Sequence, residues 1–186
     1  MFKFLREYVE RIKRYNSIAK IETIARRYFV MNAFDGILTT TGVFLAAFFA
    51  GIREARIIII AGVGAAVAIG ISGFWGAYLT ESAERKRILR TPKKILKIDA
   101  PLKQIKNSFN FAIISLSLID GLSPLIAALI MTSPFILSVS LGFNVVYAYY
   151  ASFIFASLIL FFLGIFLGKI SRQKILNSGL KMIMAG

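Results

Sequence analysis

Long runs almost free of charge alternate along this chain with short, strongly basic stretches. Tyr28–Gly51 holds one charge, Asp35, and Ile57–Thr80 holds none. Asn107–Met131 again holds one, Asp120, and Val145–Gly168 holds none. A helix rises 1.5 Å per residue, so about 20 apolar residues cross the hydrocarbon core of a bilayer. Every one of these runs is longer than that. The pattern predicts an all-α integral membrane protein with four transmembrane helices. Arg53-Glu54-Ala55-Arg56 is expected as a very short outer turn. Thr132–Asn144, which contains Pro134 and Gly142, is expected as a second one. The uncharged length from Asn107 to Gly168 also leaves room for a re-entrant piece near Ser133–Asn144. Two crossings are preferred there because they keep every basic stretch on one side.

The segments between the spans complete a division into 1–27, 28–80, 81–106, 107–168 and 169–186. In the first, Phe4, Leu5, Tyr8, Val9, Ile12 and Tyr15 recur at helical spacing, with Arg6, Glu7, Glu10, Arg11, Lys13 and Arg14 opposite them. This predicts an amphipathic helix, lying on the inner membrane surface or packed against another part of the protein. It has neither the apolar core nor the cleavage site of a secretory signal. Segment 81–106 is basic and broken by Pro92 and Pro101. Its Ile88, Leu89, Ile95, Leu96, Ile98, Leu102 and Ile105 give it a partly apolar face. Segment 169–186 is expected as a basic tail.

Charge settles the sidedness. The net charge is +14, from 23 Lys and Arg against 9 Asp and Glu. Of the 23, all but Arg53 and Arg56 fall in residues 1–27, 85–106 and 169–181. Four crossings put all three blocks on the same face, so both termini are expected in the cytoplasm by the positive-inside rule, and the cell (inner or plasma) membrane is the expected location. Such blocks attract anionic lipid headgroups. No recognition motif for nucleic acid accompanies them, so nucleic acid is not expected as a partner. There is no Cys and no His. Thiolate and imidazole metal sites are therefore excluded, and a metal would be held by oxygen, with a Met thioether as the one softer donor. No nucleophile–base pair, phosphate loop or dinucleotide fingerprint is present, and an enzyme is not expected.

The two intramembrane acids are the candidate chemistry. A carboxylate within the bilayer costs about 2.5–3.5 kcal/mol on insertion scales, and it persists where it faces protein or water. Asp35 lies about 10 Å along its helix from Tyr28. Asn32, Asp35 and Thr39 stand at i, i+3 and i+7 on one face, and Thr40 and Thr41 add oxygens nearby. Asp120 is flanked by Ser117 and Ser123. Pro124, four residues on, has no N–H for the Asp120 carbonyl. Phe34-Asp35-Gly36-Ile37 is echoed by Ile119-Asp120-Gly121-Leu122, and Arg85-Lys86-Arg87-Ile88-Leu89 by Arg172-Gln173-Lys174-Ile175-Leu176. The echo is consistent with a duplicated helix pair and, equally, with chance among common residue types. As metal or proton ligands, Asp35 and Asp120 compete with a plainer role in interhelical hydrogen bonds. Glu81 and Glu84 are further candidate cation ligands at the inner end of the second span, where pairing with Arg85, Lys86 and Arg87 is the simpler expectation. Gly62, Ala66, Gly70, Gly73 and Ala77 form a small-residue stripe for close helix packing. Trp75 and Tyr78 suit an interfacial aromatic belt.

Two stretches resemble the vacuolar iron transporter (VIT) family of ferrous iron and manganese transporters. The first is Asn32-Ala33-Phe34-Asp35-Gly36-Ile37-Leu38-Thr39-Thr40-Thr41-Gly42-Val43, similar to the family's Asn-Asp-Gly-Leu opening of its first span. The second comprises Leu163-Gly164, Gly168-Lys169, Ser171 and Ser178–Gly186, similar to the fourth span and the start of a fifth. The resemblance implies a homodimeric helical bundle that exports or sequesters a divalent metal, Mn²⁺ or Fe²⁺, against protons. The metal is then substrate and no resident cofactor is expected. It further implies that Asp35 is the metal- or proton-carrying acid. Three features depart from the family pattern. Ala77 stands where the family has a glutamate, in Gly76-Ala77-Tyr78-Leu79-Thr80. Gly73 stands near the expected methionine. The basic 85–106 segment replaces an acidic metal-binding loop. These departures also admit a non-transporting membrane scaffold or regulatory subunit of the same fold, or a transporter of another cation.

Overall fold

A computed structural model describes residues 2–91, Ile98 and 100–186, with the side chains of 2–5 and Tyr8 outside the description. Six helices account for nearly all of it: α1 (Phe2–Ala19), α2 (Ile21–Phe49), α3 (Ala55–Leu89), α4 (Leu102–Leu141), α5 (Val145–Ile170) and α6 (Ile175–Ala185). Helices α2 to α5 are each long and apolar enough to cross a membrane. No strand occurs among the described residues. The expected face of segment 81–106 at Ile95 and Leu96, with Pro92 and Asp99, lies outside the described residues.

The turn after α2 is short for a definable reason. Gly51 takes a left-handed φ of 73°. Its N–H reaches the Phe48 carbonyl at 3.1 Å, and the Ile52 N–H reaches the Ala47 carbonyl at 3.0 Å. This paired closure consumes the last carbonyls of the helix and favours glycine at its left-handed position. Helix α3 then begins at Ala55.

The second turn differs from expectation. Thr132–Asn144 is not a loop: α4 runs through both Pro124 and Pro134 to Leu141. Pro134 leaves the Ile130 carbonyl without its helical donor, and the Ser133 hydroxyl donates to that carbonyl at 2.7 Å. Such local repair lets a membrane helix continue through a proline. The turn shrinks to Gly142–Asn144. Gly142 has φ 70°, and its N–H meets the Ser138 carbonyl at 2.9 Å. Asn144 caps α5, accepting from the Val146 N–H at 2.9 Å.

The tail also differs. Within the basic tail, residues 175–185 form a helix folded back along α5. Glycines permit this. A Cβ at Gly164 would meet the Ser178 carbonyl oxygen at 2.5 Å, and one at Gly179 would meet the Phe161 ring at 2.6 Å. Its Leu176, Leu180 and Met184 remain exposed.

The chain divides into two compact units, Met1–Phe29 with Ser72–Gly121 and Val30–Ile71 with Leu122–Gly186. In the first, Ala19, Ile21, Ile105, Phe109, Ala112 and Leu116 form the core. Tyr15 leans on Phe111 with ring centroids 5.7 Å apart, so the C-terminal half of α1 packs on protein. In the second, Ile37, Phe44, Ile58, Met131, Phe135 and Tyr149 anchor a larger core. The Tyr149 hydroxyl donates to the Ile52 carbonyl at 3.0 Å and ties α5 to the first outer turn. The small-residue stripe of α3 faces inward: Gly62, Ala66, Gly70 and Ala77 are all buried. A Cβ at Gly62 would sit 2.7 Å from the Thr132 hydroxyl and 3.0 Å from the Phe44 ring.

Candidate metal site in the membrane spans

The two aspartates occupy opposite environments. Asp35, in the second unit, is exposed on the surface of α2. Thr39, one turn on, is exposed too, while Asn32 is half-buried. The expected polar face therefore exists, with Asn32 at its inner margin. Immediately next to Asp35, Gly36 is buried against α4. A Cβ there would fall 2.6 Å from both the Cα and the carbonyl oxygen of Pro124. That contact fixes the rotation of α2 about its axis and turns Asp35 outward. Two neighbours of Asp35 were not singled out from sequence. Met31, at i−4, is 57% exposed, and Gly42, at i+7, has nothing within 4 Å of where its Cβ would be. Helical spacing was the available signal.

Asp120, in the first unit, is 8% exposed, and Ser123 and Ser117 are buried with it or near it on α4. The Ser117 hydroxyl is turned to its own helix, donating to the Ile113 carbonyl at 2.7 Å. Asp120 meets α3 at Gly73. A Cβ on Gly73 would lie 3.0 Å from the Asp120 carbonyl oxygen and 3.4 Å from its Oδ2. Glycine thus lets the two backbones approach at the residue whose carbonyl Pro124 cannot serve.

Glu81 sits in a closed network. Its Oε2 accepts from Arg85 Nε and Nη2, both at 3.2 Å, and its Oε1 accepts from the Tyr28 hydroxyl at 3.0 Å. Arg85 Nη1 donates to the Ala19 carbonyl, the last of α1, at 3.0 Å, and the guanidinium lies 5.0 Å from the centre of the Phe109 ring. Both partners are nearly dehydrated, with side-chain exposures of 7% and 10%. Glu84, by contrast, forms an exposed pair with Arg87 at 3.6 Å. The simpler expectation of ion pairing is thus what both glutamates display. Among the described residues no group of three or more Asp, Glu, His or Cys gathers to hold a metal.

Two comparisons bear on what these spans do. The VIT family model matches residues 26–100, which include Asp35, the small-residue stripe and the Glu81–Arg85 pair. An uncharacterized protein of Methanocaldococcus jannaschii is 37% identical over 162 residues, covering 84% of this chain and 80% of its own length. The chain belongs to the VIT family. The resemblance seen around Asp35 is therefore one of membership, and this VIT protein is an integral membrane protein and, in general terms, a metal-ion transporter. The family consists of transporters, not enzymes. No solved structure matches the chain.

Proposed function

We propose that this chain carries a divalent cation, Mn²⁺ or Fe²⁺, across the cell membrane by proton-coupled export or sequestration, with Asp35 as the principal ligand. The observation that carries this reading is the exposure of Asp35 on a membrane span. A carboxylate facing hydrocarbon is disfavoured by about 2.5–3.5 kcal/mol, so lipid is not its stable neighbour. The surrounding face suits a protein neighbour instead. Met31, Asp35, Thr39, Gly42 and Ala46 are all exposed, and most are small or polar. A second copy of the chain, related by two-fold symmetry, covers this face with the same face and doubles every donor on it. Two carboxylates and two hydroxyls suit Mn²⁺, and the Met31 thioether adds a softer donor that Fe²⁺ also accepts. Asp120, buried on α4, serves as the proton carrier. The basic ends of the spans and both termini lie in the cytoplasm.

The test is flux in proteoliposomes. Mn²⁺ or Fe²⁺ uptake is expected to depend on an imposed proton gradient and to vanish in Asp35→Asn, with the dimer intact by cross-linking. Unchanged flux in Asp35→Asn would exclude the residue as ligand. Absence of metal flux and of metal-dependent stabilisation in the wild type, with a stable partner protein co-purifying, would favour the scaffold reading instead.

A further inference from the structure

We propose that the first unit holds a defined seat for the headgroup of an anionic phospholipid, in the cavity between α1 and the first turns of α4. The cavity measures about 450 Å³, within the size range of small-molecule sites. Arg11 and Arg14 line it from α1, and Lys103 from α4, together with the amides of Gln104 and Asn107. None of the three cations forms an ion pair among the described residues. Glu7 and Glu10 share the wall, but Glu10 is held by Arg6 at 3.6 Å. Three cations therefore face two carboxylates, one of them already engaged by Arg6. The excess of positive charge suits a phosphate group. The opening of α4 adds to it, because a helix N-terminus carries partial positive charge.

Depth and surroundings select a lipid over a free anion. Lys103 precedes Asn107, where the uncharged run of α4 begins, by about 6 Å of helix. That places the cavity at the level of the headgroups. Beside Lys103, Leu102 is 50% exposed. Tyr15, packed on Phe111, lines the cavity at the depth favoured by interfacial aromatics. A phosphate anchored by Arg11, Arg14 and Lys103 leaves acyl chains free to run along the uncharged stretch of α4 that begins at Asn107. A soluble phosphate gains nothing from that depth.

The experiment uses the full chain, stripped of lipid in mild detergent and returned to vesicles of phosphatidylcholine with or without phosphatidylglycerol. The wild type is expected to retain phosphatidylglycerol in preference to phosphatidylcholine in native mass spectrometry, and to melt higher in its presence. Arg11→Gln, Arg14→Gln and Lys103→Gln are each expected to weaken phosphatidylglycerol binding by about fivefold, the worth of one basic residue near an anionic surface. Arg11→Lys with Arg14→Lys keeps the charge and is expected to keep most of the binding. A control removing one charge elsewhere, Lys169→Gln, is expected to leave it unchanged. An equal loss in that control would reduce the effect to diffuse attraction and overturn the seat. So would stabilisation by inorganic phosphate equal to that by phosphatidylglycerol, or no preference between the two lipids.

Discussion

Replacing Arg85 with methionine tests whether the buried pair on α3 holds the basic end of the molecule together. Methionine roughly preserves the aliphatic stem and its contact with Phe109. It removes both donors to Glu81 and the one to the Ala19 carbonyl. Glu81, about a tenth exposed, then keeps the hydrogen bond from the Tyr28 hydroxyl but loses its counter-ion. Removing one member of a buried ion pair costs about 3–5 kcal/mol, because the other charge stays dehydrated and uncompensated. In Glu81→Gln with Arg85→Met, no charge is stranded and Tyr28 keeps an acceptor. What remains is the loss of three hydrogen bonds, about 1.5–4.5 kcal/mol in all. The double variant is therefore expected to be more stable than Arg85→Met alone. Unfolding in mixed micelles, followed by far-ultraviolet circular dichroism, reads both values. Trypsin cleavage at Arg14 and Lys20 reads the release of α1, which Arg85 caps. A cost for Arg85→Met no greater than the ~1 kcal/mol of an exposed pair such as Arg87–Glu84 would refute the reasoning. So would a double variant less stable than the single one.

The other variants test packing. Gly36→Ala is expected to cost about 1–3 kcal/mol, since its methyl meets the backbone of Pro124 rather than a movable side chain; Gly42→Ala, with open space at the same helix, is expected to cost nothing in a monomeric detergent preparation, and melting curves compare the two. Ser133→Ala is expected to cost about 0.6–1.7 kcal/mol by returning the Ile130 carbonyl to an unsatisfied state in α4; unchanged stability would mean that Pro134 is accommodated without the hydroxyl.

The four spans were legible because length and the absence of charge suffice to define them. What periodicity normally adds was missing. In a helix apolar on every side, the buried face leaves no contrast for a 3.6-residue pattern to reveal. Helix α3 was the exception, since its small residues marked the packed face directly. Pro134 and Gly142 read as a loop because a proline's effect on the chain depends on its neighbours, and the repair by Ser133 is a tertiary fact of one hydroxyl's direction. The tail read as basic because four cations outweighed in appearance a run of Leu, Ile and Met. The glycines that seat α6 on α5 lie in two different segments and acquire meaning only when the chain folds back.

The same limit explains why two Asp-Gly pairs in apolar spans looked alike and differ in place. Gly36 and Gly73 decide the matter, each by admitting a backbone that a methyl would hold off. One turns Asp35 outward, and the other lets Asp120 close against α3. Charge then argues for what covers Asp35. A divalent ion beside one carboxylate keeps a net positive charge, which a low-dielectric membrane interior strongly disfavours. A symmetric pair of Asp35 residues balances the ion with no further acid from either chain. The balance needs no third carboxylate, in keeping with the absence of a three-acid group among the described residues. It also predicts that a heterodimer of wild type with Asp35→Asn loses most metal binding, whereas a monomeric site would retain half.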